Sequence, residues 1–480
     1  MSQMEVFVHV LGLPGNQQML VNVDLLGQPL EQGQLVDLTV KWTDKPYASL
    51  CQTLPPGPLN SQIAGDVGIA LGGAVFQHPN AAEAYRITKA AEPPNRCIRV
   101  IMHTAEEAHR IPWELLRSAS GFCTLQDRVP IVRVAPYNGQ RPDGVILDRR
   151  LKVMVVLGAR DVPCGPEWRA LTRALESWQS DVEVQVLTYD PEIKAEIDKA
   201  PASQGLMRQI DGRQVTQRIT ASFIPGSTER LMQIISNEAP QICHLFCHGT
   251  SEQFGQLEIA HRGTVAAGDA PLFLERHHLG KLGNSAWLMV LNACETAKPA
   301  GNGGAPPAPA SRPPSRDGSF ATALVAAGIP YVLGMRQRID SAIVPAFTFA
   351  FYEAVFSRLD ASLQPGHSCV ISLDGALISG QDAICAHFRQ NPAEVCMQRP
   401  DWSLPVLYRR SKPFCVRAVE SAAAGGVDGA GFDSAVHLVA ERQTLKEALE
   451  EMRRKGVDKP VVTAGITARI QEIDQLLGSA

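Results

Sequence analysis

Short apolar runs alternate with longer amphipathic segments through the middle of this chain, between residues 150 and 340. Because Val153 to Leu157 are all apolar, a strand containing them must be covered on both of its faces. Such strands are typical of parallel sheets packed between helices. The alternation therefore predicts an α/β domain with a mostly parallel sheet and helices on both faces. The predicted strands are residues 151–158, 182–188, 242–247, 287–292 and 331–334.

The remaining segments of the 480-residue chain have different patterns. The strands predicted near the N-terminus alternate apolar and polar residues. In the last 48 residues (433–480), apolar residues are instead spaced three and four apart, as in an amphipathic helix. A stretch with six prolines and four glycines has almost nothing to bury and predicts a mobile loop. The predicted organisation is a small β-rich N-terminal region (1–96), the α/β domain (97–411, core 150–411, mobile loop 298–318), a linker (412–432) and a C-terminal helical hairpin (433–480).

Composition limits the classes of function. With 45 Lys+Arg against 49 Asp+Glu, the chain has no excess positive charge with which to bind nucleic acid. The start of the chain lacks the pattern of a signal peptide, and no apolar run is long enough to span a membrane. Eleven cysteines in a chain of this length are too sparse for a disulfide scaffold, so we expect thiols in the reducing cytoplasm.

Two of the predicted strands end in residues with chemical potential. His248 and Gly249 follow one apolar strand, and Cys294 follows another. Because active sites in such folds gather at the carboxyl ends of the strands, neighbouring strands would bring this imidazole and this thiol together. An adjacent imidazole can take the proton of a thiol and so activate it as a nucleophile. The backbone N–H groups of Gly249 and Cys294 are candidates for an oxyanion hole.

Alternative chemistries find less support. Cys243, His244 and Cys247 invite a zinc site, but successive side chains of a strand point to opposite faces and cannot converge on one ion. We therefore predict that these three residues belong to the core and that the protein holds no metal. Because nucleotide-binding, serine-hydrolase and metalloprotease motifs are absent, no cofactor is expected.

Several segments together resemble the CHAT domain of the caspase–separase group of cysteine peptidases. The His-Gly and Cys strand ends lie in two of these segments, and the others include a Pro-Trp-Glu-Leu-Leu motif and a Trp-x-x-Pro-Val-Leu-Tyr motif. Each motif is weak alone, but their order along the chain strengthens the resemblance, which covers about residues 97 to 410. The matching segments are residues 111–116, 243–249, 292–297, 326–336 and 402–408.

The resemblance implies a caspase-like fold and a catalytic dyad of His248 and Cys294. Such enzymes form a thioacyl intermediate on cysteine and hydrolyse it with water, so a protein substrate is implied. Members of this group often act as regulated effectors in bacterial defence, immunity or death pathways. Two other functions stay open for this chain: a non-catalytic scaffold or adaptor with the same fold, and a thiol acyltransferase.

Substrate specificity does not follow from the resemblance. The context of Cys294 matches neither the caspases, which cut after aspartate, nor the metacaspases, which have an acidic residue where this chain has Asn292. Asn292, Arg336 and Arg338 are near the ends of predicted strands, and Asp269 is in the loop before the cysteine strand. These four residues are candidates for lining a substrate pocket. The two arginines are candidates for contacting an acidic side chain, with a surface ion pair as the alternative.

Regulation is predicted at two places. The loop 298–318 begins four residues after Cys294, where caspases have a cleavable linker, so we predict that it gates activity after cleavage near Arg312 or Arg316. A tolerated surface insertion is the alternative interpretation of this loop. The C-terminal hairpin, residues 433–480, is predicted to bind an activating partner or sensor.

Overall fold

The computed structural model describes residues 4–12, 18–26, 36–41, 61–76, 79–91, 96–102, 111–135, 137, 144–147, 150–210, 213–250, 256–294, 296, 319–362, 368–371, 373–387, 400–410, 414–418 and 467. The chain divides into two compact units, Met1–Val419 and Glu420–Ala480. All elements named below belong to the first unit. The predicted loop 298–318 lies outside the described residues, as does the predicted hairpin 433–480 except for Thr467.

The elements alternate as the sequence pattern predicts, with most helices joining successive strands. The strands are β1 (Met4–Gly12), β2 (Gln18–Leu26), β3 (Val36–Lys41), β4 (Arg96–Met102), β5 (Arg117–Ser118), β6 (Gly121–Phe122), β7 (Ile131–Ala135), β8 (Gly144–Leu147), β9 (Arg150–Leu157), β10 (Asp181–Thr188), β11 (Leu206–Ile210), β12 (Arg213–Phe223), β13 (Ile242–Phe246), β14 (His248–Thr250), β15 (Gln256–Ile259), β16 (Leu272–Leu274), β17 (Leu288–Asn292), β18 (Tyr331–Met335), β19 (Ser368–Ile371), β20 (Pro405–Arg410) and β21 (Phe414–Ala418). The α-helices are α1 (Ser61–Phe76), α2 (Pro79–Ala90), α3 (Gly165–Leu175), α4 (Pro191–Lys199), α5 (Thr228–Glu238), α6 (Arg262–Ala266), α7 (Arg276–Gly280), α8 (Phe320–Ala326), α9 (Val344–Ser362) and α10 (Asp374–His387). Short 3-10 helices cover Trp113–Leu115, Pro201–Gln204, Lys281–Asn284 and Pro400–Ser403. Among the helices described, none is long and apolar enough to cross a bilayer.

The main sheet has thirteen strands in the order β11-β12-β10-β9-β13-β17-β18-β20-β7-β4-β1-β2-β3. The six neighbours from β12 to β18 are all parallel to one another. Every residue of β13, β17 and β18 is buried, as expected for mostly apolar strands covered on both faces. The predicted α/β class with a mostly parallel sheet is thus confirmed.

The N-terminal strands extend the main sheet instead of forming a small sheet of their own. β1 pairs in parallel with β4 on one side and antiparallel with β2 on the other. The alternating pattern of β1 predicts a strand correctly but contains no information on which edge it will join. Unpaired backbone groups along β4 offer that edge, and pairing satisfies them. Helices α1 and α2 also lie within the predicted β-rich region, while β21 lies where the linker was predicted to begin.

Two glycines of α1 explain why a glycine-rich segment is helical. A Cβ atom at Gly68 would lie 2.4 Å from the carbonyl oxygen of Leu115, and one at Gly72 only 2.0 Å from that of Arg117. Only glycine permits the helix to approach this backbone so closely. The segment 115–117 directly follows Glu114, which forms a buried ion pair with Arg133. The Arg133 guanidinium donates to both carboxylate oxygens of Glu114 at 2.8 and 2.7 Å.

The order of the strands creates a crevice at one edge of the sheet. From β9 the chain moves outward to β10 and then β12, and it returns on the other side of β9 to continue through β13, β17 and β18. Connections leaving β9 and β13 therefore run in opposite directions. In open parallel sheets, ligands bind outside the carboxyl ends of the strands at such a switch point. The residues that follow β9, β13 and β17 are placed around it.

One carboxylate of α9, Asp360, gives a pH prediction. Burial raises the pKa of Asp360 to about 6, although hydrogen bonds from the backbone of Gln179 and the hydroxyl of Ser180 oppose the rise. The folded state therefore retains this proton between about pH 4 and pH 6 while the unfolded chain loses it, so stability falls as the pH rises through that window. Because the carboxylate is partly exposed, Asp360→Asn is expected to raise the free energy of unfolding at pH 7 by only about 1 kcal/mol.

Denaturant unfolding between about pH 3 and pH 7 tests the prediction. The difference between Asp360→Asn and wild type should vanish below about pH 3, where both folded and unfolded Asp360 are largely protonated. Glu176→Gln, at an exposed position directly after α3, is the control. A stability gain for Asp360→Asn that is the same at every pH would contradict the assigned cause.

Candidate active site

Residues from three strand ends meet at the switch point. Arg160 follows β9, His248 begins β14 directly after β13, and Cys294 follows β17. The register is set by Phe246, which lies opposite Leu157 of β9 on one side and Asn292 of β17 on the other. The two strand ends singled out in the sequence are therefore neighbours, because β13 and β17 pair directly.

The backbone of Gly249 lies directly against that of Cys294. A Cβ atom at Gly249 would be 1.8 Å from the carbonyl oxygen of Cys294 and 3.4 Å from its nitrogen. No side chain fits in this space, so the glycine is required for the approach. The contact brings the backbone segments that contain His248 and Cys294 together.

The imidazole of His248 is held by the connection that follows β9. Its Nε2 atom makes a short hydrogen bond to the carbonyl oxygen of Arg160. A carbonyl only accepts, so Nε2 carries the proton and, in the neutral ring, Nδ1 has the lone pair. The tyrosine hydroxyl of Tyr189 donates to the carbonyl of Ala159 at 3.0 Å and anchors the same connection. Nδ1 is thus the atom available to accept a proton.

Cys294 differs from the other described thiols in its exposure. It is partly exposed, while Cys97, Cys123, Cys164, Cys243 and Cys247 are buried. Burial raises the pKa of Cys243 to about 12 and that of Cys164 to about 11, so both remain protonated at neutral pH. The predicted core positions of Cys243, His244 and Cys247 are confirmed by exposures of 0%, 0% and 4%.

Burial raises the pKa of Cys247, with smaller contributions from the nearby Cys294 and Glu258. Cys247 is therefore a poor nucleophile although it adjoins the site.

The expectation that every cysteine is a thiol is wrong for Cys385, which is disulfide-bonded. Sparse cysteines do not rule out a single bond, because the proximity of two chain segments is decided by the fold.

The four residues predicted to line a substrate pocket are not brought together. Asn292 is buried, and its amide donates to Glu167 Oε1 at 2.8 Å, so it faces the interior. Asp269 is exposed in the turn after α6, where its backbone N–H donates to Gly263 at 3.2 Å. Arg338 is exposed, and Arg336 is 3% exposed.

Arg336 occupies an unusual interior position. Within the part of the chain that the structure describes, its guanidinium nitrogens have no hydrogen-bond partner. Burial lowers its pKa to about 10; Glu114 nearby favours the charged form and Arg133 opposes it. At neutral pH the group is still a cation, inaccessible to a substrate in this arrangement. The predicted surface ion pair is equally inconsistent with its burial.

Sequence reasoning missed two contributors to the site. Arg160 acts through its backbone carbonyl, which any residue type carries, so no sequence signal marks it. Glu167 is in the first turn of α3, where an acidic residue ordinarily interacts with the helix dipole at the surface. Its complete burial follows from the packing of α3 against α9 over the sheet.

Comparison with known proteins gives a family and several distant structures. The sequence model of the CHAT domain matches residues 70–364, more than half of the 480 residues. No curated protein matches the sequence significantly. A separase–securin complex from Saccharomyces cerevisiae aligns with a TM-score of 0.35 and 15% identity over 72% of this chain, which corresponds to only 17% of that chain. Gingipain R, an Arg-specific cysteine proteinase, aligns with a TM-score of 0.35 and 11% identity over 74% of this chain and 76% of its own.

The family match runs from within α1 to just past the end of α9, and it includes all three strand ends that meet at the switch point. His248 and Cys294, singled out from the sequence as strand-end residues, both lie within the matched range. The chain belongs to the CHAT domain family.

Proposed function

We propose that this protein is a cysteine endopeptidase in which Cys294 is the nucleophile and His248 the general base. One observation carries the proposal: Gly249 lies against the backbone of Cys294 while the neighbouring imidazole is oriented by the carbonyl of Arg160. A partly exposed thiol, an oriented imidazole and two adjacent backbone N–H groups are the parts that acyl transfer requires.

The reaction follows from this arrangement. Nδ1 of His248 accepts the proton of Cys294, and the thiolate attacks the scissile carbonyl carbon. The N–H groups of Gly249 and Cys294 donate to the oxyanion that forms. As the C–N bond breaks, the imidazolium returns its proton to the leaving amine, which leaves a thioester on Cys294. Water, deprotonated by His248, then hydrolyses the thioester and restores the thiol.

Two other functions make different predictions. A scaffold or adaptor needs no reactive thiol, and a thiol acyltransferase forms the thioester but passes the acyl group to an amine or alcohol. The hydrogen bond that orients His248 favours catalysis over the scaffold, because a binding surface has no use for a fixed tautomer. An endopeptidase is distinguished from an acyltransferase by new peptide N-termini.

His248→Ala tests the proposal. Candidate protein substrates are incubated with the wild-type chain or with His248→Ala, and new N-termini are identified by mass spectrometry. Loss of the general base is expected to slow cleavage roughly 100- to 10,000-fold. New termini that are equally abundant with both proteins would rule out His248 as the base, and an acyl group transferred without new termini would favour the acyltransferase.

The proposal also includes a biological role for the peptidase. By analogy with the family, we propose that the peptidase is a regulated effector in a bacterial defence or death pathway. Control by an activating protein that binds residues 433–480, and by cleavage of the loop 298–318, belongs to the same proposal. Peptide mapping of the chain before and after activation tests it, and an activated chain with an intact loop would contradict control by cleavage.

A further inference from the structure

A buried polar cluster lies beneath the active site and takes no part in the chemistry described above. It contains Glu167 of α3, His244 of β13, Asn292 of β17, and Thr348 and Tyr352 of α9. None of the five is more than 4% exposed. So many polar side chains in an interior are costly unless they bond to one another, so their arrangement needs a reason.

Glu167 is the centre of this cluster. Its Oε1 atom accepts hydrogen bonds from the Asn292 amide at 2.8 Å and from the Thr348 hydroxyl at 2.7 Å. Nε2 of His244 lies 3.0 Å from the same oxygen, and Nδ1 of His244 lies 3.2 Å from the hydroxyl of Tyr352. One carboxylate oxygen thus ties together α3, two strands of the sheet and α9.

Asn292 connects this cluster to the active site. It lies two residues before Cys294, and its carbonyl oxygen accepts the backbone N–H of Cys247 at 3.4 Å. Cys247 in turn is directly followed by His248. A displacement of Asn292 would therefore move the ends of β13 and β17 relative to each other, and with them the imidazole and the thiol.

The connection between β9 and α3 holds both members of the pair. It begins at Gly158, whose N–H donates to the Phe246 carbonyl at 2.8 Å, next to the end of β13. Its Arg160 carbonyl orients the imidazole of His248. Glu167, in the first turn of α3 just after this connection, anchors Asn292 and so the start of the segment that carries Cys294. The connection and the helix that follows it therefore set both positions.

We propose that Glu167 is a positioning residue: by anchoring the Asn292 side chain from the first turn of α3, it keeps Cys294 aligned with His248 without touching the substrate. The inference rests on the proposed roles of His248 and Cys294. It adds Glu167, a residue of α3, which acts on the active site only through Asn292.

The test measures the reactivity of Cys294 directly, so it needs no substrate. The full chain is alkylated with iodoacetamide between pH 5 and pH 9, and the rate constant for Cys294 is obtained by peptide mass spectrometry. Because a misaligned imidazole no longer stabilises the thiolate, Glu167→Leu and Asn292→Ala are each expected to slow alkylation at neutral pH roughly 10- to 100-fold. Both should also raise the apparent pKa of the profile.

A double-mutant cycle shows whether Glu167 acts through Asn292. If it does, the double variant reacts no more slowly than the slower single variant. Glu167→Gln, which retains an accepting oxygen, should react nearly as fast as wild type. Leu171→Ala is the matched control, since Leu171 is a buried residue of the same helix and is outside the cluster. It should lower stability and leave the rate constant and the pH profile of the folded protein unchanged.

Each outcome supports or overturns the inference. Losses that multiply in the double variant, or a Leu171→Ala profile shifted as far as that of Glu167→Leu, would overturn it. If Glu167→Leu does not fold, Asn292→Ala and Glu167→Gln still decide, because an unshifted Asn292→Ala profile contradicts the anchor. If the alkylation profiles are as expected but the protein cleaves no protein substrate, the role of Glu167 is supported and only the peptidase proposal is contradicted.

Discussion

Replacement of Cys294 by alanine is expected to reduce peptide cleavage at least roughly 1,000-fold, since the attacking atom is lost and no other group can form the thioester. The neighbouring Cys247 cannot substitute, because burial raises its pKa and keeps it protonated. Labelling by a thiol-directed peptide probe should disappear in the same variant. Cleavage rates with a peptide library and probe labelling measure the two effects.

Cys247→Ala is the matched control for this experiment. It removes the adjacent thiol, which is 4% exposed, and leaves the proposed nucleophile in place. Its cleavage rate should stay close to that of wild type. Probe labelling and cleavage that survive in Cys294→Ala but are lost in Cys247→Ala would show that Cys247, and not Cys294, is the nucleophile.

Gly249→Ala is expected to reduce cleavage about 100-fold, because a displacement near 1 Å at a catalytic group has an effect of this order. The new Cβ atom would lie 1.8 Å from the carbonyl oxygen of Cys294 and 2.9 Å from its carbonyl carbon. Atoms cannot approach so closely, so β14 must move away from Cys294. The movement separates His248 from the thiol and takes the Gly249 N–H away from the oxyanion.

The control for Gly249→Ala is Gly226→Ala. Gly226 is exposed, and a Cβ atom there meets nothing within 4 Å. Its cleavage rate and thermal stability should match those of wild type. Steady-state kinetics separate the effects at Gly249, since misalignment of the catalytic groups lowers kcat more than it raises KM. An unchanged kcat in Gly249→Ala would show that the close approach has no role in catalysis.

Much of the site was predictable because its signals are local. The run 242–247 is apolar at every position except His244, so a strand buried on both faces could be expected there. The run 287–293 before Cys294 is likewise apolar except at Asn292. Parallel strands present their carboxyl ends at one edge of a sheet. His248 and Cys294 could therefore be singled out before any contact was known.

The substrate-pocket residues were less predictable. Asn292 and Arg336 are near strand ends in the sequence, but a strand-end position does not specify the direction of a side chain. The amide of Asn292 is drawn inward by Glu167, a residue 125 positions away. Arg336 is buried near Glu114, which lies in a 3-10 helix, and near Arg133 of β7, which is two strands away from β18 in the sheet. Neither contact leaves a trace in the residues flanking these positions.

The sequence alone determined the α/β class, the strand ends that carry His248 and Cys294, and the resemblance to CHAT domains, because side-chain periodicity and short motifs depend on neighbouring residues. Only the tertiary structure decided that Gly249 lies on Cys294 and that Arg160 orients the imidazole. It also decided that Glu167 anchors Asn292. These contacts join separate strands and helices, and the order of strands in the sheet, which no local pattern encodes, determines which of them become neighbours.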